Sequence, residues 1–162
     1  MKGRKMFIIL NLLTMSILLS SHLSAQSNSK ATHNEAEKAI AESNGFYFQA
    51  YAKNDPSLFT SLYAEDCWIM PPNALALCGP EAPREFFEKA YHLNGTRNGK
   101  FITIDVFGIS EDIVAEIGFW KLYNASNVEL DDGKFLVLWK KTPQGWKRWR
   151  DSFSSNRVKN NP

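Results

Sequence analysis

Apolar positions near the start of the folded region recur at helical spacing. Ala36, Ile40, Tyr47 and Tyr51 form one stripe, widened by Ala39, Phe46 and Ala50. The pattern predicts a helix over His33–Lys53, capped by Thr32 or Asn34, with Glu35 and Glu37 in its first turn. Gly45 interrupts it at a cost of about 1 kcal/mol against Ala, which implies a close approach there. Asn54-Asp55-Pro56 ends this helix and opens a short one, Ser57–Tyr63, because Pro suits the first helical position. Beyond Ala64-Glu65-Asp66, short strands are expected at Cys67–Pro71 and Ala74–Cys78, stopped by Gly79-Pro80. A third helix, Glu81–Leu93, carries Phe86, Phe87, Ala90 and Tyr91 on its apolar face.

From there the chain alternates as strands do. Lys100–Ile109 is followed by Ile113–Tyr123 after a Ser110-Glu111-Asp112 turn. Phe135–Lys141 follows an Asp131-Asp132-Gly133 turn, and Gly145–Ser154 closes the series after Thr142-Pro143-Gln144. Three helices and then a long antiparallel meander define an α+β fold. Helices that arrive in one block cover one face of the sheet. A sheet covered by few helices, with large aromatics on that face, curls around a cavity.

The first residues carry a different pattern. Lys2, Arg4 and Lys5 precede an apolar run, Met6 to Leu19, and Leu23-Ser24-Ala25 ends on a small residue. This is the layout of a secretory signal peptide cleaved before Gln26. The alternative, an uncleaved anchor, needs about 20 apolar residues to span a bilayer as a helix, and this run is shorter. The expected product is secreted or periplasmic and makes no stable membrane insertion. Residues 26–32 read as a flexible tether, 33–156 as one domain and 157–162 as a tail.

Cleavage changes the charge. Of 19 Lys+Arg, three sit in the signal with no acid, leaving 16 against 17 Asp+Glu and a net charge of −1. That balance argues against a nucleic-acid partner, which would need a basic face. Lys140, Lys141, Lys147, Arg148 and Arg150 cluster in sequence, but alternate with apolar residues and read as the solvated side of a sheet. The three His (His22, His33, His92) form no ligand spacing, so no metal site is expected. Neither a phosphate loop nor a nucleophile elbow is present, and no cofactor is implied. Cys67 and Cys78 flank Pro71-Pro72-Asn73 and read either as a cross-strand disulfide or as two unpaired residues.

Alternation also sorts the candidate chemistry. On the strand from Ile113, one face collects Val114, Glu116, Gly118, Trp120 and Leu122. On the last strand, Trp149, Asp151 and Phe153 share a face, while Arg148, Arg150 and Ser152 share the other. A carboxylate among aromatics has its charged form disfavoured and suits acid–base work. The competing roles are structural: Asp151 paired with Arg84 or Arg150, Glu116 solvated on the outer face, Tyr47 in the core.

The order of elements resembles a known superfamily. Leu62-Tyr63-Ala64-Glu65-Asp66-Cys67-Trp68-Ile69-Met70-Pro71-Pro72 resembles the LYADDAVLMPP stretch of SnoaL-like and ketosteroid-isomerase-like domains. Cys78-Gly79-Pro80-Glu81-Ala82 resembles the start of their third helix. Asp132 to Lys141, Gly145-Trp146-Lys147 and Arg150-Asp151 resemble the closing hairpin of a subgroup of unknown function. The resemblance covers about residues 35 to 156 and implies the cone-shaped fold of nuclear transport factor 2. It implies Tyr47 as the oxyanion-stabilising hydroxyl of the isomerases. Their base Asp, just before a Pro, has no counterpart, because Ile69-Met70-Pro71-Pro72 holds no carboxylate. Without that base, the usual isomerase route is closed.

Three roles follow as expectations. The first is a binder of a small apolar or aromatic molecule, in a pocket lined by Tyr47, Tyr51, Trp68, Met70, Trp120, Trp139 and Asp151. The second is a cofactor-independent isomerase, dehydratase or hydrolase using Asp151 or Glu116 with Tyr47. The third, implied by the resemblance, is a homodimer formed through the open sheet face along Lys134–Lys141.

Overall fold

A computed structural model describes residues 32–157. Nearly all of them, residues 36–157, lie in one compact unit, and residues 32–35 are helical. The expected signal peptide, most of the tether and most of the tail fall outside the described residues.

Helix α1 spans 32–53, so Asn34 lies inside the helix instead of capping it. Gly45 has nothing within 4 Å of where a Cβ would stand, so the expected close approach is absent. Asn54 ends α1 in the left-handed region, at φ 51°. Asp55 then caps α2 (Pro56–Thr60), accepting from the backbone N–H groups of Ser57 at 3.0 Å and Leu58 at 2.9 Å. Helix α3 (Ala82–Glu88) continues as a π-helical turn, Lys89–Leu93.

Six strands follow the order β1 (Tyr63–Met70), β2 (Leu77–Cys78), β3 (Asn98–Gly108), β4 (Ile113–Tyr123), β5 (Glu129–Thr142) and β6 (Gly145–Ser155). They form one sheet, β2-β1-β6-β5-β4-β3. Neighbours are antiparallel except β1 and β6, which run parallel, so the sheet is mixed where a meander alone would be antiparallel. Side-chain alternation reports faces and carries no information on strand direction, which is why this pairing escaped the sequence.

Two boundaries differ from expectation with consequences for the site. Tyr63 opens β1 and does not end the second helix, because α2 stops at Thr60. Asp131-Asp132-Gly133 is not a turn but part of β5, with Asp131 opposite Leu122. The turn lies earlier, where the Asn124 side chain accepts from Ser126 and Val128 N–H groups, both at 2.9 Å, and Asn127 takes φ 59°. Gly133 is needed inside the strand, since a Cβ there would meet the Ser154 carbonyl oxygen at 1.9 Å and the Trp120 ring at 2.6 Å.

The helices cover one face of the sheet in two buried clusters. One gathers Tyr51, Phe59, Ile69 and Phe87 around α1, α2 and α3. The other gathers Ile40, Val137, Trp139 and Trp146 under the N-terminal half of α1. Each fully buried large apolar side chain contributes about 1.5–3 kcal/mol. Phe101, Leu122 and Phe153 touch both clusters, and the space beside them is open.

Candidate functional site

A cavity of about 600 Å³ lies between the helices and the concave face of the sheet. Phe48, Phe86, Phe101, Trp120, Phe135 and Phe153 supply its apolar wall. Its rim includes the Pro71–Leu75 segment, Lys89, Leu93 and Arg157. Tyr47, Tyr51 and Asp151 form a polar group within it.

The position of Asp151 depends on an irregularity in β6. Trp139 pairs with Arg148, but Leu138 pairs with Arg150, so Trp149 is an extra residue, a β-bulge. Its indole is turned outward, donating to Asp66 Oδ2 at 2.9 Å, with the Arg150 guanidinium stacked 3.8 Å from the ring centre. The bulge resets the alternation, so Arg148 and Asp151 both point inward, at 1% and 5% exposure. This corrects two expectations: Trp149 does not share a face with Asp151, and Arg148 is not on the solvated side. The Arg beside Asp151 is therefore Arg148, not Arg84 or Arg150, with Nη1 3.7 Å from Oδ2.

Around Asp151 the polar groups are linked. Tyr63 Oη donates to Asp151 Oδ2 at 2.8 Å. Tyr47 lies beside Tyr51, with ring centroids 5.7 Å apart, and its hydroxyl is close to those of Tyr51 and Tyr63. Burial raises the Asp151 carboxyl above its ordinary 3.8; nearby Arg148 and the Tyr63 hydrogen bond offset this only in part, and Glu116 adds to it. Burial and the Asp151 carboxylate raise Tyr47 and Tyr63 as well, so both stay protonated hydroxyls.

Glu116 sits deeper and does not line the cavity. It is fully buried, which excludes the solvated outer-face role. Its Oε1 accepts from Asn44 Nδ2 at 2.8 Å and Thr103 Oγ1 at 2.7 Å, and its Oε2 from Trp139 Nε1 at 3.0 Å. Asn44 in turn accepts from Arg148 Nη2. The Arg148 guanidinium lies among the rings of Tyr47, Phe101 and Trp139, with centroids at 5.0, 4.8 and 4.7 Å. Its Nε is buried without a partner. The Glu116 carboxylate accepts three hydrogen bonds, and Glu116 is linked to Arg148 through Asn44.

Of the expected pocket residues, Tyr47, Tyr51, Trp120 and Asp151 line the cavity. Trp68 does not: it points away from the core at 44% exposure, because Cys67 and Ile69 take the inward positions on β1. Met70 and Trp139 are also outside the lining; Trp139 is fully buried against Glu116 and Arg148. Cys67 and Cys78 are free. Trp68, not Cys67, stands opposite Cys78, so the two thiols face opposite sides of the sheet. Tyr63, Asn44, Arg148 and Thr103 were not legible as site residues. A helix assignment hid Tyr63, and an unmarked bulge hid Arg148.

No family model matches the sequence, and no curated protein matches it. Solved structures do match, each across most of its own length. An NTF-2 like protein of unknown function from Shewanella oneidensis MR-1 is 18% identical, with a TM-score of 0.62 over 73% of this chain and 98% of that one. A ketosteroid isomerase-like protein from Erwinia carotovora atroseptica SCRI1043 is 20% identical, with a TM-score of 0.61 over 78% and 97%. LinA is 16% identical, with a TM-score of 0.63 over 82% and 96%. The likeness is one of architecture: this chain has the nuclear transport factor 2-like fold. The SnoaL-like and ketosteroid-isomerase-like resemblance read in the sequence agrees with it.

Proposed function

We propose that the protein is an exported binder of a small, largely apolar or aromatic molecule, held in the cavity with its polar end at Asp151, Tyr47 and Tyr51. The observation that carries this reading is the cavity itself. Its volume, about 600 Å³, suits a small organic ligand, and aromatic side chains make up much of the wall around the polar group of Asp151, Tyr47 and Tyr51. Cleavage of residues 1–25 would deliver the domain to the secreted or periplasmic space. Thermal-shift and fluorescence titrations against a panel of small aromatics test the reading, comparing wild type with Ala90→Leu, which adds bulk to the lining. Saturable binding that Ala90→Leu weakens supports it; binding indifferent to that change counts against it.

A second reading, acid–base catalysis, is favoured by the same carboxyl group. A buried Asp with a raised pKa beside tyrosine hydroxyls is suited to hold or release a proton. Asp151 would be the acid–base group and Tyr47 the hydrogen-bond donor; Glu116 would hold the arrangement and touch no substrate. Exchange of α-protons of small ketones into deuterated water, abolished in Asp151→Asn, is its test. The outer sheet face exposes Ile102, Phe119 and Leu136 at 43–47%, which supports a homodimer. Sedimentation at micromolar concentration decides that point, and a monomer would remove it.

A further inference from the structure

The buried polar residues next to the cavity are unequal in charge. Asp151 and Glu116 are two carboxylates, and Arg148 is the cation between them. Glu116 is occupied by Asn44, Thr103 and Trp139, and Arg148 is drawn toward Asn44, leaving its Nη1 at 3.7 Å from Asp151. With both carboxylates ionised this interior carries one uncompensated negative charge, and Asp151 alone of the three lines the cavity. The wall around it includes the rings of Phe48, Phe86, Phe101, Trp120, Phe135 and Phe153, and aromatic faces attract cations.

We propose that the cavity selects a small aromatic or aliphatic amine in its protonated form, with the ammonium group at Asp151 and the apolar body along Phe101, Trp120, Phe135 and Phe153. This rests on the cavity being the binding site. An anionic ligand would bring a third negative charge into the same low-dielectric space. A neutral ligand would fit the walls and leave the charge imbalance as it is. The cations at the rim do not oppose an ammonium strongly, since each is paired: Lys89 with Glu85 at 2.7 Å, and Arg157 with Glu129 at 3.5 Å and Asp131 at 3.7 Å. Burial already lifts the Asp151 carboxyl above its ordinary range, and an ammonium beside it restores the charged form.

The test is calorimetric titration at pH 7 with three indoles of similar shape: tryptamine, tryptophol and indole-3-propionate. Tryptamine is expected to bind at least about tenfold tighter than tryptophol, with the propionate weakest. In Asp151→Asn the tryptamine-to-tryptophol ratio falls to within about threefold. A conservative Phe153→Leu change lowers tryptamine affinity more than tryptophol affinity, and gives a second route if Asp151→Asn does not fold. Tryptophol binding as tightly as tryptamine, or an amine preference that survives Asp151→Asn, overturns the proposal while leaving the cavity as a binding site. Failure of all three probes to bind at millimolar concentration overturns both.

Discussion

Arg148 and Asp151 stand three residues apart on β6, yet both face the interior, with 3.7 Å between Nη1 and Oδ2. A regular strand would send them to opposite faces. The Trp149 bulge makes the pair possible, and its outward indole is fixed by Asp66 and Arg150. The bulge thus couples a half-buried indole on the outer face to the charge balance of the cavity.

Replacing Arg148 by Met keeps most of the side-chain volume and removes the buried cation beside Asp151 and Glu116. Breaking a buried pair from one side costs about 3–5 kcal/mol. Urea denaturation at pH 7 should show a loss of that order for Arg148→Met. The double variant Arg148→Met/Asp151→Asn should recover part of it, because the stranded charge is gone. No recovery in the double variant would mean that the ring contacts of the guanidinium matter more than its charge.

The pH dependence of stability follows from Asp151. Its folded-state pKa is raised above 3.8, its ordinary value, mainly by burial, against the pull of Arg148 and Tyr63 and with the push of Glu116. Tyr47, Tyr51 and Cys67 are the other titratable groups around it, and burial raises all three, so they stay neutral across this range. The folded state therefore holds the Asp151 proton more tightly than the unfolded chain does. Its contribution is most favourable below 3.8 and is lost as pH rises through the folded pKa. Measured between about pH 4 and pH 7, wild type should lose stability relative to Asp151→Asn as pH increases. A difference that is flat, or that moves in wild type's favour, contradicts the raised pKa.

The fold was largely legible because it is written in periodicity. The 3.6-residue stripe from Ala36 to Tyr51 and the alternation from Ile113 to Tyr123 gave α1 and β4 nearly residue for residue. The inward face of β4, including Glu116 and Trp120, was read correctly for the same reason. The site was only half legible. Asp151 and Tyr47 emerged, but β6 carries a one-residue bulge with no Gly or Pro to announce it, so Arg148 and Trp149 were placed on the wrong faces. Tyr63 was lost to a boundary shift of three residues, since Leu58, Phe59 and Leu62 satisfy a helical stripe that the chain leaves at Thr60. What decides these positions is tertiary: parallel pairing of β1 with β6, which no local pattern encodes.

Glycine substitutions should separate two kinds of position. Gly133→Ala places a Cβ 1.9 Å from the Ser154 carbonyl oxygen and 2.6 Å from the Trp120 ring, so either the β5–β6 ladder or the cavity wall must shift. Overpacking of this kind costs about 1–3 kcal/mol or more. Gly45→Ala meets nothing within 4 Å and should stabilise α1 by up to about 1 kcal/mol. Paired thermal melts of the two variants check the contrast. Gly45→Ala falling below wild type would mean that α1 makes a contact at this position that the open space does not show.

Thiol chemistry distinguishes the two cysteines. Cys78 is exposed, whereas Cys67 is buried and donates to the Gly79 carbonyl oxygen at 3.4 Å. Burial, with Asp151 second, pushes the Cys67 thiol up to about 11, far from the thiolate form that reacts. Native protein should therefore consume one equivalent of a thiol reagent quickly, through Cys78, and denatured unreduced protein should consume two. Zero equivalents in the denatured, unreduced sample would reveal a Cys67–Cys78 bridge. It would also require β1 and β2 to slip by one residue from the observed Trp68–Cys78 register. Such a slip of the two-residue β2 would turn Cys78 inward and Leu77, which lines the cavity, outward, so the thiol count is also a check on the shape of the proposed binding site.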